Sequence, residues 1–143
     1  MIYTVTLNPA LDKTVEIPGM ALDTVNRITE MRTDPGGKGI NVSKVIAKLG
    51  GESCAVGILG GESGKMLEKL LENENFTTRF RFVEGQTRTN IKIIDRERHT
   101  NTDINEPGLT VTDADLDALL HDLLAEVHAG DIVVLAGSLP KGA

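Results

Sequence analysis

The chain has 143 residues, of which 40% are apolar, and a formal charge of −6 at pH 7. That length suits one domain with a core of ordinary size, and the negative balance, with 3% aromatic residues and no tryptophan, argues against nucleic acid as a partner. No stretch is long or apolar enough to span a membrane, and the N-terminal MIYTVTLNPALD lacks the basic region and apolar core of a secretory signal, so a soluble cytoplasmic protein is expected.

Residues 2–7 (IYTVTL) read as a strand. DPGGKG (34–39) then runs into Ile40, Val42, Val45, Ile46 and Leu49 at helical spacing. Gly36, Gly37 and Gly39 permit φ > 0 and close approach of a ligand, Lys38 adds a movable positive charge, and a helix N-terminus favours anions. The segment reads equally as an anion or polyol cradle and as a tight turn with a solvated lysine. SCAVGIL (53–59) is a second buried strand. Ser63 is placed to cap a helix bearing Met66, Leu67, Leu70 and Leu71, and Thr112 or Asp113 to cap another bearing Leu116, Leu119, Leu120, Leu123, Leu124 and Val127. Asp113, Asp115 and Asp117 suit the first turn of that helix rather than acid–base work. DIVVLAG (131–137) reads as a strand covered on both faces. The alternation predicts an α/β protein, and residues 14–32 and 80–104 interrupt it as short, half-exposed antiparallel strands of a small second sheet.

Several phosphate and metal motifs are excluded. A dinucleotide fingerprint from Gly37 and Gly39 needs a third glycine where Val42 stands, and the P-loop spacing around Gly64–Lys65 puts Leu59 in place of the first glycine and Met66 in place of Ser or Thr. His99, His121 and His128 form no ligand cluster, and Cys54, the single cysteine, excludes an internal disulfide and argues against a structural zinc site.

TLNPALD, PGGKGINVSKVIAKLGG, VGILGGESG, TRTN (87–90) and LAGSLPKG (135–142) occur in an order that resembles the N-terminal half of the PfkB family of carbohydrate kinases. TDINEPG (102–108) is most similar to the 1-phosphofructokinases of that family, with the tagatose-6-phosphate kinases next. The resemblance implies a ribokinase-like three-layer α/β/α core with a small β-sheet lid, here drawn from segments of about 14–34 and 80–105, and residues 1–143 as the N-terminal part of one kinase domain. It implies ATP-dependent phosphorylation of a sugar phosphate, foremost fructose 1-phosphate to fructose 1,6-bisphosphate, with tagatose 6-phosphate or fructose 6-phosphate as alternative acceptors and a non-catalytic sugar-phosphate-binding module as the alternative class.

Carried over residue by residue, the resemblance places sugar hydroxyls on Asp12, Gly37 and Asn41. It places the substrate phosphate on Lys38 and Arg88, with Asn90 and Ser138 as neutral partners and Arg27 as a weaker phosphate candidate. A turn or capping aspartate and a solvated strand arginine are the plain alternatives for Asp12 and Arg88. The family's magnesium-associated motif, its anion hole and its general-base aspartate are expected beyond Ala143, so no catalytic residue is assigned within the chain, and ATP and Mg²⁺ belong mainly to that further part. A homodimer joined through the lid is expected.

Overall fold

A computed structural model describes residues 1–143. In chain order the elements are β1 Ile2–Thr6, β2 Ala10–Glu16, β3 Glu30–Gly36, α1 Lys38–Lys48, β4 Ser53–Gly60, α2 Gly61–Leu71, β5 Thr77–Val83, β6 Arg88–Asp95, β7 Thr100–Asn105, α3 Asp113–Glu126 and β8 Ile132–Leu135. They form two sheets. The core sheet has the order β5-β4-β1-β8 and is parallel throughout, and the small sheet has the order β3-β2-β6-β7.

Apolar alternation fixes the three layers. Tyr3, Val5, Cys54, Val56 and Ile58 face Leu119 and Leu123 of α3 on one side of the core sheet. On the other side Leu59 packs with Ile40 of α1 and with Leu67 and Leu71 of α2. All eight residues of β4 are buried, as a strand covered on both faces requires. Cys54 belongs to this core, and burial pushes its thiol up. Under α1, Thr4 Oγ1 lies 2.7 Å from Ser43 Oγ, and the Ser53 hydroxyl donates to Ser43 Oγ at 2.9 Å. Buried hydroxyls are thereby satisfied where α1 crosses β1 and β4.

Five expectations are corrected. Residues 80–83 belong to the core, because β5 pairs with β4 in parallel from Thr77 to Val83 and Phe80 packs against the α1/α2 layer. The small sheet instead takes in Ala10–Lys13, ahead of the expected lid segments. Its central pairing, β2 with β6, is parallel and only its flanking pairs are antiparallel. The chain leaves this sheet after β3 and returns through α1, β4, α2 and β5, a crossover that brings the strand back in the same direction. Ser63 lies inside α2 rather than at its N-cap, which is Gly60, and its hydroxyl donates to the Thr87 carbonyl at 2.7 Å. β8 is an edge strand, with Ile132 56% and Leu135 77% exposed, because no element of the chain lies beyond it. At α3 Thr112 is the N-cap, and it forms a reciprocal capping box with Asp115.

The small sheet is tied together at its far end by Asp95, which is 3% exposed. Its carboxylate accepts backbone N–H bonds from Gly19, Met20, Glu97 and Arg98 at 2.9–3.1 Å, joining the β2 exit loop to the β6–β7 turn. Burial alone would push this carboxyl up, and the four donors outweigh it and hold it below the usual carboxylate range. A depressed pKa contributes stability that is full above the unfolded-state value near 3.8 and is lost as pH falls through the lower folded value. Asp95→Asn is therefore expected to lower the urea midpoint at pH 7 and to leave a shallower fall in stability below pH 4 than the native chain shows. Parallel acid limbs for the two proteins would remove Asp95 from that role.

Candidate functional site

The polypeptide passes between the core and the small sheet four times: at residues 7–9, at the β3–α1 junction, at 84–87 and at 106–112. Short connections at these crossings hold the small sheet across the C-terminal ends of β1 and β8, where ligands settle on parallel sheets. Period-two alternation then sorts its side chains. Ala10, Asp12 and Thr14 of β2, with Arg88, Asn90 and Lys92 of β6, turn toward the core and line two adjoining cavities of about 410 and 400 Å³. Met31, Val15, Ile91, Ile93 and Ile104 are at the intervening register positions.

Asp12, Gly37, Lys38, Asn41, Arg88, Asn90 and Ser138 all line the 410 Å³ cavity. Asp12 sits opposite Asn90 in the β2–β6 register and accepts a hydrogen bond from its Nδ2 at 3.2 Å. The Asp12 carboxylate lies against Gly36, and a Cβ there would overlap it. Glycine at 36 is thus required by the aspartate it supports. Gly37 is the N-cap of α1, with φ 135, a conformation glycine adopts without strain. Lys38 and Asn41 project from the first turn of α1. The N-terminus of α1 is partly occupied already, since the Ile40 N–H donates to Thr6 Oγ1 at 3.1 Å.

Arg88 reaches the same space from the start of β6, beside the small Ala10. Its Nη2 donates to the Asn8 carbonyl at 2.9 Å and to Ser138 Oγ at 3.4 Å, and Nη1 donates to the Glu106 carbonyl at 3.5 Å. A guanidinium has five donors. The protein uses three of them, leaving the Nε–H and one Nη1–H. Arg88 Nε and Asn90 Oδ1 are buried and have no hydrogen-bond partner within the protein. One missing partner must accept and the other must donate, so a ligand bearing both acceptor and donor oxygens would satisfy the pair.

Arg27 lies on the exposed loop between β2 and β3 and does not line the cavity. The three histidines, His99, His121 and His128, are exposed and outside it. A larger cavity of about 630 Å³ lies between β5 and α3, and the ion pairs Arg79–Glu126 at 3.3 Å and Arg81–Asp122 at 3.1 Å are part of its lining. No unpartnered buried polar atom points into it. Asn8, Thr6 and Asn105 also line the sugar-sized cavity, and none was singled out from the sequence. Asn8 and Asn105 stand in the LNPALD and TDINEPG stretches, and their placement within those stretches was the available signal.

The model of the pfkB family carbohydrate kinases matches residues 5–143. The 1-phosphofructokinase of Bacillus subtilis is 41% identical over 141 residues, covering 99% of this chain and 45% of the relative, and that of Xanthomonas campestris is 40% identical over 139 residues, covering 97% and 44%. The chain therefore spans somewhat less than half the length of these relatives. Among solved structures, phosphofructokinase-2 from Escherichia coli in complex with fructose-6-phosphate superposes with a TM-score of 0.93 at 34% identity, over 99% of this chain and 46% of that one. A possible 1-phosphofructokinase from Thermotoga maritima gives a TM-score of 0.86 at 44% identity, over 100% and 46%. The fold is thus the expected ribokinase-like α/β/α arrangement with its small second sheet, and the chain belongs to the pfkB family of carbohydrate kinases.

Proposed function

We propose that residues 1–143 are the acceptor-binding part of a single kinase domain that transfers the γ-phosphoryl group of ATP to a sugar phosphate, with fructose 1-phosphate as acceptor and fructose 1,6-bisphosphate as product. The observation that carries this reading is the buried, unpartnered pair of Arg88 Nε and Asn90 Oδ1 in one polar cavity. The names of the relatives support the choice of acceptor. Asp12 and Asn90 accept from hydroxyls, Gly37 and Asn41 fix the sugar against α1, and Arg88, Lys38 and Ser138 hold its phosphate. Binding of this kind converts phosphoryl transfer into a positioned, in-line reaction. No group of three or more His, Cys, Asp or Glu is placed to hold a metal ion. We assign Mg²⁺, ATP and the general base to the portion of the relatives that the chain does not span, since Mg²⁺ at phosphoryl-transfer sites is held largely by substrate phosphates and waters.

Phosphoryl transfer from ATP by the full polypeptide tests this. Fructose 1-phosphate is expected to exceed fructose 6-phosphate and tagatose 6-phosphate in kcat/KM by at least about tenfold, the size of a modest difference in acceptor contacts. Preference for another acceptor reassigns the substrate, and binding without transfer replaces the kinase with a binding module.

The same reading includes a homodimer formed through the outer face of the small sheet. Met31 and Ile104 are 65% and 52% exposed there, and the adjoining loop exposes Leu22, Val25 and Ile28. Apolar area of this kind marks an interaction surface. Sedimentation of the full polypeptide should give a dimer or a higher assembly, and Ile104→Lys should shift it toward monomer. A monomeric native protein would defeat the assignment.

A further inference from the structure

We infer that Asn8 is a positioning residue that sets the polarity of the Ser138 hydroxyl, keeping its proton free to donate to an anionic ligand. This rests on the proposed function for the identity of the ligand, but the geometry is the chain's own. Asn8 is buried at the first crossing from core to small sheet, immediately after β1. Its Nδ2 donates to the Pro107 carbonyl at 3.1 Å and to Ser138 Oγ at 3.4 Å. A carbonyl can only accept, so the Pro107 contact identifies this atom as the nitrogen of the amide. The opposite side of the amide is packed against Gly108, where a Cβ would overlap Oδ1 and where φ is +96. The amide is thereby held in one orientation.

The consequence falls on Ser138. A hydroxyl has two acceptor lone pairs and one donor proton. Asn8 Nδ2 and Arg88 Nη2 both donate to Ser138 Oγ, each at 3.4 Å. With both lone pairs engaged, the hydroxyl keeps its proton free for a ligand in the cavity that Ser138 lines. Asn8 also fixes Arg88, since its backbone carbonyl takes the shorter of the two Nη2 bonds, at 2.9 Å. Its main chain and side chain therefore orient two donors on one ligand oxygen cluster. Nothing in the Asn8 side chain need touch that ligand.

A double-mutant cycle tests the inference, using full polypeptides carrying Asn8→Ala, Ser138→Ala and both. Asn8→Ala is expected to raise KM for fructose 1-phosphate by about tenfold, the scale of a misdirected neutral hydrogen bond, with KM for ATP unchanged. In the Ser138→Ala background the same substitution should change KM less than about twofold, because the two residues act through one hydroxyl. Equal effects of Asn8→Ala with and without Ser138, or equal rises in both KM values, would overturn the inference and make Asn8 a structural residue. Asn8→Leu, which keeps the approximate size and supplies neither donor nor charge, carries the same cycle if the alanine variant does not fold. Calorimetric binding of inorganic phosphate separates the two readings. A protein without kinase activity whose phosphate affinity still shows the Asn8–Ser138 coupling would end the proposed function and leave this inference standing, whereas active kinase with no coupling would do the reverse.

Discussion

Arg88→Ala in the complete kinase is expected to lower kcat/KM for fructose 1-phosphate by about 100-fold, which corresponds to roughly 2.8 kcal/mol and to one charge-assisted hydrogen bond at the strong end of its range. Free fructose should lose less, about fivefold, by the cost of one ordinary hydrogen bond. That smaller loss arises because Arg88 also donates to the Asn8 carbonyl and to Ser138 Oγ, so its removal loosens the cavity wall even when no phosphate is bound. Arg88→Lys should recover part of the phosphorylated-substrate loss. An ammonium keeps the charge but cannot hold the Asn8 and Glu106 carbonyls and Ser138 in one plane while presenting further donors. Steady-state kinetics on both sugars decide the matter, and equal losses would confine Arg88 to a structural role.

Asp12→Asn is expected to cost roughly 2–3 kcal/mol in acceptor binding, the range for hydrogen bonds to a charged group. The amide preserves the shape above Gly36 but halves the acceptor capacity. Its remaining oxygen can go on accepting from Asn90 Nδ2, which donates to Asp12 Oδ1 at 3.2 Å, and its NH2 then stands where the second carboxylate oxygen would accept from the ligand. The loss should appear mainly in KM for the sugar phosphate. Wild-type KM and kcat in the variant would remove Asp12 from the site. Gly36→Ala offers an independent approach to the same contact, since its Cβ would occupy the space of the carboxylate.

The seven candidate residues were carried over from the resemblance to a known family, and the structure brings them to one cavity, with which the spacing of some of them agrees. Arg88 and Asn90 are two apart on a strand, as are Ala10 and Asp12, so each pair faces one way, while Lys38 and Asn41 share one helical turn. What was illegible depends on backbone rather than on side-chain pattern. The donors of Arg88 end on the carbonyls of Asn8 and Glu106, and a carbonyl leaves no mark in a sequence. Strand 77–83 alternates Phe80 and Phe82 with Arg79 and Arg81, as a lid strand would, because an edge strand of the core is half-exposed too. The apolar run at 132–135 promised two covered faces, yet burial of that strand depends on what lies beyond it. The Ser63 hydroxyl had a better partner in the Thr87 carbonyl, 24 positions away, than in its own helix.

The core sheet places β1, made first, between β4 and β8. Ile2 pairs with Ile132, 130 positions later. At synthesis rates of about 5–20 residues per second, β1 waits roughly 6–26 seconds before its second neighbour exists. Through that interval one edge of Tyr3–Val5 stands open in a growing chain. One of the two central strands of the sheet is thus also the one whose vulnerability to mispairing lasts longest, and its protection during synthesis has to come from β4 and α1 on the side already made.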